Sequence, residues 1–321
     1  MYNATIESSR TPHPEEFLLF FFGVAIGLGV WFFKSLYNFL HIKSCASIQE
    51  QAIKPIKKMG DDTTITIWGF QAMNEYHPGL GITDGSPYVA RVECYLRLLK
   101  QDYTKRVSVD LSENPRSKLP FANVFGKMVD GSSNILSEID RALGKEDGHS
   151  KNNLLLSIEQ RNAAHLILRM FTGSLYWVRY AMNFLTETGR EELKTELRRT
   201  TPGFLVPLVY PMVINSQVAN LMGHGTARVP LMEIVEEGQA DLRVLASLLR
   251  QSKTPYILGT TEPTVVDTDV YAFVSHLFYD VTPSQMDWVV TIQDELLDLV
   301  LYIDRMRNLL FPELDKKEKE S

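Results

Sequence analysis

Serine hydroxyls at the starts of predicted helices are the groups in this sequence best suited to chemistry. Ser86 and Pro87 open an amphipathic helix predicted over 86–100, shortly after the strand-like run ITIWGF. Serine before proline is typical of an N-cap with proline at the first helical position, and the capping hydroxyl accepts a helix N–H without any ligand. The same hydroxyl, with the free N–H groups of the helix, would also stabilise a bound thiolate. The two roles of Ser86 are compatible, and the sequence leaves both open.

A second serine pair, Ser132 and Ser133, opens the helix that follows a predicted β-hairpin. The N–H groups at a helix N-terminus bind carboxylates, so these serines are candidate ligand-binding residues. A serine at the start of a helix is equally well explained as an N-cap. Both interpretations stay open for this pair.

Composition argues against several other kinds of chemistry. The net charge of −6 and the lack of a Lys/Arg stripe argue against nucleic-acid binding. Two cysteines are too few for a disulfide framework, and no Cys/His cluster has metal-ligand spacing, so we expect no metal. Cys94, on the helix at 86–100, is interpreted as a buried, inert thiol. His165, His224 and His276 have no acid partner at triad spacing and receive no chemical role.

The order of strand and helix patterns over 63–144 predicts a thioredoxin-like domain. TTITIWGF predicts a strand, the helix at 86–100 follows it, and YTKRVSVDL predicts a second strand. KLPFANVF and GKMVDG predict a hairpin joined at Gly126, and SSNILSEIDRAL predicts the next helix. The order β-α-β followed by β-β-α is the thioredoxin arrangement.

The second half of the chain, residues 150–311, contains almost only helical patterns, beginning with one long helix near 157–185. An α+β thioredoxin-like domain followed by an all-helical domain is the architecture of glutathione transferases. We therefore predict this two-domain fold, with 63–144 and 150–311 as its two parts.

An apolar run without a charged residue, FLLFFFGVAIGLGVWFF, occupies 17–33. As a helix it spans about 26 Å, slightly less than the ~30 Å hydrocarbon core of a bilayer. It lacks the basic start and cleavage site of a signal peptide and the amphipathic pattern of a buried helix. We predict a transmembrane anchor there, after a tail at 1–16 and before a basic stalk at 34–62. The five lysines that follow the run place the fold in the cytosol by the positive-inside rule. A charged tail occupies 312–321.

Five landmarks in the expected order resemble the failed axon connections branch of the glutathione transferase superfamily, which is related to metaxins. The first, SPYVARVECYLRLLKQDY, begins at Ser86 and has Ser-Pro, a basic residue, a Glu and aromatic-Leu-Arg in order. The others are NPRSKLPFANV at 114–124, RMFTGSLYW at 169–177, GHGTARVPLMEI at 223–234 and TPYILGTTEPTVVDTDVYAF at 254–273.

The resemblance implies a glutathione site at the starts of the two helices. In transferases of this type the residue at the position of Ser86 meets the glutathione sulfur. The Leu119–Pro120 turn, with a cis peptide bond, pairs through its backbone with the backbone of glutathione. Ser133 holds the γ-glutamyl end of the ligand. Ser132 departs from the family pattern, because an acidic residue or Gln that meets the ligand ammonium precedes the serine there.

A capping box is predicted at the start of a late helix, with Thr264 as N-cap and Asp267 at the third helical position. The carboxylate would accept the N–H of the cap residue. We assign this pair to folding and exclude it from the site.

Three functions are compatible with these observations. One is a membrane-tethered transferase that joins the glutathione sulfur to an apolar electrophile. The second is a non-catalytic scaffold, and the third, from the metaxin side of the resemblance, is a component of protein import or organelle assembly. The expected partners are a lipid bilayer through 17–33, glutathione as co-substrate, and a second copy or another protein. We expect the endoplasmic reticulum or the outer mitochondrial membrane as the location.

Overall fold

The computed structural model describes residues 63–69, 84–107, 118–144, 156–278, 288–289 and 292–313. The chain divides into two units, 1–55 and 56–321, and every described residue belongs to the second. The predicted tail, anchor and stalk lie outside the described residues, as does most of the charged C-terminal tail. The anchor therefore stays a prediction.

The described part of the first half contains four short strands: β1 (Ile65–Gly69), β2 (Thr104–Val107), β3 (Phe121–Val124) and β4 (Lys127–Asp130). Their order is β2-β1-β3-β4, with β1 parallel to β2 and antiparallel to β3, and β3 antiparallel to β4. Phe125 and Gly126 turn β3 into β4 with φ of 48° and 85°. Positive φ at both central residues is what a type I′ hairpin turn requires, so the hairpin predicted at Gly126 is confirmed.

Two helices, α1 (Pro87–Leu98) and α2 (Ser132–Ala142), complete the thioredoxin-like half. One apolar cluster joins them to the sheet, and its fully buried members include Ile65, Ile67, Val92, Leu96 and Ile135. The predicted arrangement, β-α-β followed by β-β-α, is confirmed. The two helices, α1 and α2, therefore share one apolar core with the sheet.

Helices make up the second half, as predicted: α3 (Ile158–Met170), α4 (Tyr176–Leu185), α5 (Glu187–Thr200), α6 (Val206–His224), α7 (Leu231–Gln251), α8 (Val265–Phe278) and α9 (Leu297–Leu310). The long helix predicted near 157–185 is α3 and α4, joined by one turn of π-helix, Phe171–Leu175. A π turn releases a carbonyl group from the α-helical pattern, and here the indole Nε1 of Trp177 donates to the carbonyl of Thr172 at 3.1 Å.

Helix α1 lies between the sheet on one side and α8 on the other. Val92 and Leu96 belong to the core of the sheet, whereas Ala90 and Cys94 belong to the core of the helical half. An amphipathic helix with one solvent face was the sequence expectation, but nearly every residue of α1 up to Leu96 is buried. Burial also raises the pKa of the Cys94 thiol well above its ordinary value, which agrees with an inert thiol.

Residues 310–313, the last described residues of the chain, are held to α1 by Arg97. Its Nη1 donates to the carbonyl oxygen of Leu310 at 3.1 Å, and its guanidinium lies 4.1 Å from the centre of the Phe311 ring. The same guanidinium pairs with Glu313. Residues 310–313 therefore pack on the first helix of the fold.

The predicted capping pair is present at the start of α8. Asp267 Oδ2 accepts the backbone N–H of Thr264 at 2.6 Å, as expected, and also the Thr264 hydroxyl at 2.8 Å. The other oxygen of this fully buried carboxylate accepts the N–H of Ile257 at 3.1 Å and the hydroxyl of Tyr302 at 2.6 Å. Asp267 thus joins the start of α8 to α9 and to the loop after α7.

Candidate functional site

Ser86 occupies the predicted N-cap of α1, with Pro87 at the first helical position, but its hydroxyl accepts no capping hydrogen bond. The expectation that this hydroxyl satisfies a helix amide is therefore wrong. The reason is that the carbonyl oxygen of Ser86 already accepts the N–H groups of Val89 and Ala90, each at 3.0 Å. The half-buried hydroxyl is left available for another partner.

The residues immediately before α1 are held by Asp84, a fully buried carboxylate. Its Oδ1 accepts the N–H of Ser86 at 2.9 Å, and its Oδ2 lies 3.1 Å from the ammonium of Lys105, which also pairs with Glu93. Burial raises the pKa of Asp84 from 3.8 to about 6, and Lys105 limits that rise. A side chain at Gly69 would place its Cβ only 2.4 Å from Asp84 Oδ2, so this position requires glycine.

His276 contacts Asp84 from the helical half. Its Nε2 lies 2.7 Å from the carbonyl oxygen of Asp84, and its Nδ1 lies 2.6 Å from the carbonyl oxygen of Ala272. The imidazole is fully buried on α8. His276, which received no role from the sequence, therefore links α8 to the residues that precede Ser86.

Ser132 and Ser133 are the first two residues of α2, and the N-cap is Gly131 with a φ of 76°. Neither serine is the cap, so the structural alternative considered for them is wrong. Ser132 is only 6% exposed, whereas Ser133 is exposed. Both hydroxyl oxygens accept from Arg91 Nη1, at 3.1 Å and 2.8 Å.

Arg91 reaches this pair from α1 and is itself held by Asp269 of α8. Its Nε and Nη2 donate to the two carboxylate oxygens of Asp269 at 2.6 Å and 3.2 Å. The side chains are 6% and 4% exposed, so the ion pair is excluded from water. Burial raises the pKa of Asp269 above its ordinary value, while the guanidinium opposes that rise. Arg91 therefore couples the start of α2 to the helical half.

The Leu119–Pro120 peptide bond is cis, as predicted. The carbonyl oxygen of Pro120 accepts the N–H of Gly131 at 3.0 Å, which joins the turn before β3 to the start of α2. Pro120 is buried and Leu119 is partly buried against Trp68 and Phe121.

These contacts bring the predicted site residues into one connected arrangement. Pro120 connects to Ser132 through Gly131, and both serines of α2 connect through Arg91 to the helix that Ser86 begins. Along α1, Arg91 is about 7.5 Å from Ser86 at 1.5 Å per residue. In the sequence, Arg91 was only the basic residue of the first landmark motif, and Asp269 on α8 received no role.

The space between the start of α1 and the helical half is narrow. A cavity of about 10 Å³ lies there, enough for about one water molecule. Burial raises the pKa of Tyr176 beside it to about 12. Tyr88 packs edge-on against the rings of Tyr176 and Phe273, with centroids 5.1 Å and 5.2 Å apart. The lining residues are Pro87, Leu175, Tyr176, Arg179, Phe273 and Leu277.

Comparison with known proteins agrees with this architecture. A family model described as the glutathione S-transferase N-terminal domain matches residues 87–189. Failed axon connections of Drosophila melanogaster is 27% identical over 249 residues, which cover 72% of this chain and 56% of that protein. The chain thus spans little more than half the length of the curated relative it matches.

Two solved structures are similar at low sequence identity. The β-etherase LigF from Sphingobium sp. strain SYK-6 is 16% identical with a TM-score of 0.51, over 81% of this chain and all of that one. A glutathione S-transferase from Xanthobacter autotrophicus Py2 is 17% identical with a TM-score of 0.46, over 79% of this chain and 99% of that one. Similarity to LigF at this identity establishes the fold alone.

The thioredoxin-like sheet, joined through α1 to a helical half, forms a glutathione transferase-like fold. Among known proteins the chain is similar to failed axon connections, as the landmark motifs indicated. Both comparisons agree with the resemblance to the failed axon connections branch of the glutathione transferase superfamily.

Proposed function

We propose that the protein binds glutathione at the N-termini of α1 and α2, on the cytosolic side of a membrane. The observation that carries this proposal is the pair of hydroxyls that accept from Arg91. A serine hydroxyl has one proton to donate and two acceptor positions. Because Arg91 already fills an acceptor position, the exposed Ser133 has its proton left for an acceptor such as the γ-glutamyl carboxylate, beside the N–H groups of α2.

Ser86 is the proposed catalytic residue, and its free hydroxyl supports that role. A thiol with a pKa of about 8.5 is mostly protonated at neutral pH, whereas the thiolate is the nucleophile. A hydroxyl donor at the start of α1, with the positive end of the helix dipole, lowers the pKa of a bound thiol. The sulfur would then attack an apolar electrophile, with Leu119 and Pro120 as the predicted backbone contacts of glutathione.

A non-catalytic scaffold on the same fold is the second candidate, and two observations favour it. Ser132 has its side chain in the protein interior and offers nothing to the ligand ammonium. The cavity beside Pro87 has a volume of about 10 Å³, far smaller than the ~300 Å³ typical of a preformed small-molecule site.

Glutathione titration of the full chain in detergent tests the binding proposal, with calorimetric detection. Ser133→Ala should weaken binding about tenfold or more, because it removes a hydrogen bond to a charged group. Ser137→Ala is the matched control, since Ser137 lies one turn further along α2 and its hydroxyl donates to the Ser133 carbonyl. Wild-type protein that binds no millimolar glutathione would refute the proposal.

Conjugation kinetics with a general electrophile separate the enzyme from the scaffold. Ser86→Ala should lower the rate about 10²–10³-fold, since one preorganised donor to a developing anion is lost, and should change glutathione affinity much less. It should also raise the pKa read from the pH dependence of the rate. Glutathione binding by wild-type protein without any conjugation would leave the scaffold.

The membrane tether at 17–33 is the remaining part of the proposal. Its uncharged length supports a single span, with the lysines of the stalk on the cytosolic side. The endoplasmic reticulum and the outer mitochondrial membrane are the proposed locations. Alkaline carbonate should leave the full chain in the membrane pellet, and a chain released by carbonate would contradict the tether.

A further inference from the structure

Helix α6 exposes an apolar surface that the glutathione proposal does not use. Within the 22 residues Gly203–His224, the most apolar window of 18 residues has a mean hydropathy of 1.3, yet only 11% of that window is buried. Residues 200–227 contain no Asp, Glu, Lys or Arg. By length and composition this helix would suit a membrane span, but in the described structure it lies on the outside of the helical half.

The exposed apolar side chains of this segment lie along one side, which we call the α6 stripe. Phe204 is 82% exposed, Leu208 45%, Met212 43% and Met222 44%. Phe204 lies in the 3-10 turn just before α6, and at 100° per residue the three positions on α6 itself fall within an arc of about 80°. Large apolar side chains scattered singly need no explanation, whereas exposed apolar patches mark sites of interaction with proteins or membranes.

The opposite side of α6 is held by the protein. Leu221 is fully buried in the core of the helical half. His224 stacks on Trp177 of α4 with ring centroids 4.0 Å apart, and the Tyr180 hydroxyl donates to Gln217. These contacts would be lost if α6 crossed a bilayer, so the helix is suited to lying against a surface and not to spanning one.

We propose that the α6 stripe docks in the interfacial layer of a phospholipid bilayer, an inference that rests on the proposed tether at 17–33. A tethered domain stays close to its membrane, because the stalk at 34–62 spans at most about 100 Å even when fully extended. In-plane helices bury an apolar face at the headgroup boundary, and a face without acidic residues meets no repulsion there. Arg198, exposed at the end of α5, stands next to this segment in the sequence.

Docking of the stripe would fix the orientation of the whole domain on the membrane. The glutathione site would then have a defined position relative to the bilayer, from which apolar molecules partition. The stripe would thus add a second membrane contact to that of the N-terminal span.

Fluorescence quenching on the full chain tests the docking. The chain carries Cys45→Ser, so that the buried Cys94 is the remaining native thiol, and an environment-sensitive probe is attached at Leu208→Cys. In phosphatidylcholine vesicles, spin labels on the acyl chains should quench this probe at least about twofold. The matched control is a probe at the exposed Lys253→Cys, outside α6, which should be unaffected.

A second variant keeps the tether while removing the stripe. With the probe moved to Met212→Cys, Leu208→Glu should abolish quenching although the chain still floats with the vesicles. A chain that floats with an unquenched probe at Leu208→Cys would overturn docking and leave the tether standing. Cross-linking between two copies at that position, without quenching, would assign the stripe to a second copy and also overturn the proposal. A chain that does not float at all would refute tether and docking together.

Discussion

Replacement of Arg91 by methionine should destabilise the protein by about 3–5 kcal/mol, because it leaves the Asp269 carboxylate buried without its cation. The carboxylate is 4% exposed, so water cannot replace hydrogen bonds of 2.6 Å and 3.2 Å. Methionine retains an unbranched apolar stem, which limits the loss of packing. The serine hydroxyls add less to the cost, since Ser133 is exposed and can take a water in place of the guanidinium.

The cost should shrink as the pH falls. Burial raises the pKa of Asp269, and the loss of Arg91 removes the charge that opposes this rise. A carboxyl whose pKa is higher in the folded state binds its proton more tightly there, so acidification favours folding. The free-energy cost of burying the charged carboxylate is complete above its pKa in the folded state, and this cost disappears below its pKa in the unfolded chain. Acid should therefore narrow the gap between Arg91→Met and wild type.

Urea denaturation of the full chain in detergent, at neutral and acidic pH, measures both effects. The double variant Arg91→Met/Asp269→Leu is the control and should recover most of the stability, because it replaces the whole ion pair by apolar groups. Equal stability of Arg91→Met and wild type at neutral pH would refute the buried pair. A loss that neither acid nor the double variant reduces would show that packing, and not charge, is responsible.

Three further perturbations test other parts of the fold. The free energy of unfolding should rise as the pH falls from above 6 towards 3.8, because the pKa of Asp84 is raised to about 6. If Asp84→Asn shows the same gain, the gain belongs to another group. Thr264→Ala should lower stability in thermal unfolding by about 1–2 kcal/mol, because the hydrogen bond from its hydroxyl to the buried Asp267 carboxylate is lost. Thr264→Ser should retain this hydrogen bond, and unchanged unfolding of Thr264→Ala would contradict the contact. Gly189→Ala should lower stability by about 1–3 kcal/mol, because its Cβ would lie 2.5 Å from two backbone carbonyl oxygens. Gly173→Ala is the control, since no atom lies within 4 Å of its Cβ, and equal unfolding midpoints of the two variants would refute the clash.

The fold was predictable from local patterns. The spacing of apolar residues predicts strands and helices, and the hairpin at Gly126 has the glycine that its turn requires. The landmark motifs then indicated the superfamily. What the local pattern of α1 could not reveal is that a helix covers its second side, so that no face of α1 is left to solvent.

The polar contacts of the site were not predictable because their partners are far apart in the sequence. Arg91 and Asp269 are separated by 178 residues. A signal existed in α8, where Asp267 and Asp269 are the two acidic residues of a mostly apolar helix. Acidic residues are almost never fully buried without partners. The capping pattern explained one of these aspartates and left the other without a role. For Ser86, residue type gave the right N-cap position but not the use of its hydroxyl, which depends on where the carbonyl points.

The contacts of α1 have a consequence for synthesis on the ribosome. The buried charge of Arg91 on this early helix meets its carboxylate partner on α8, 178 residues later, and Arg97 meets its partners at residues 310–313. A nascent chain that ends before α8 leaves Arg91 with no counter-charge, although every strand of the described sheet has been made. The thioredoxin-like half therefore lacks this ion pair until α8 has been made. These contacts of α1 form only after residues up to 313 have been made, and chaperones have a long interval in which to meet an unfinished domain.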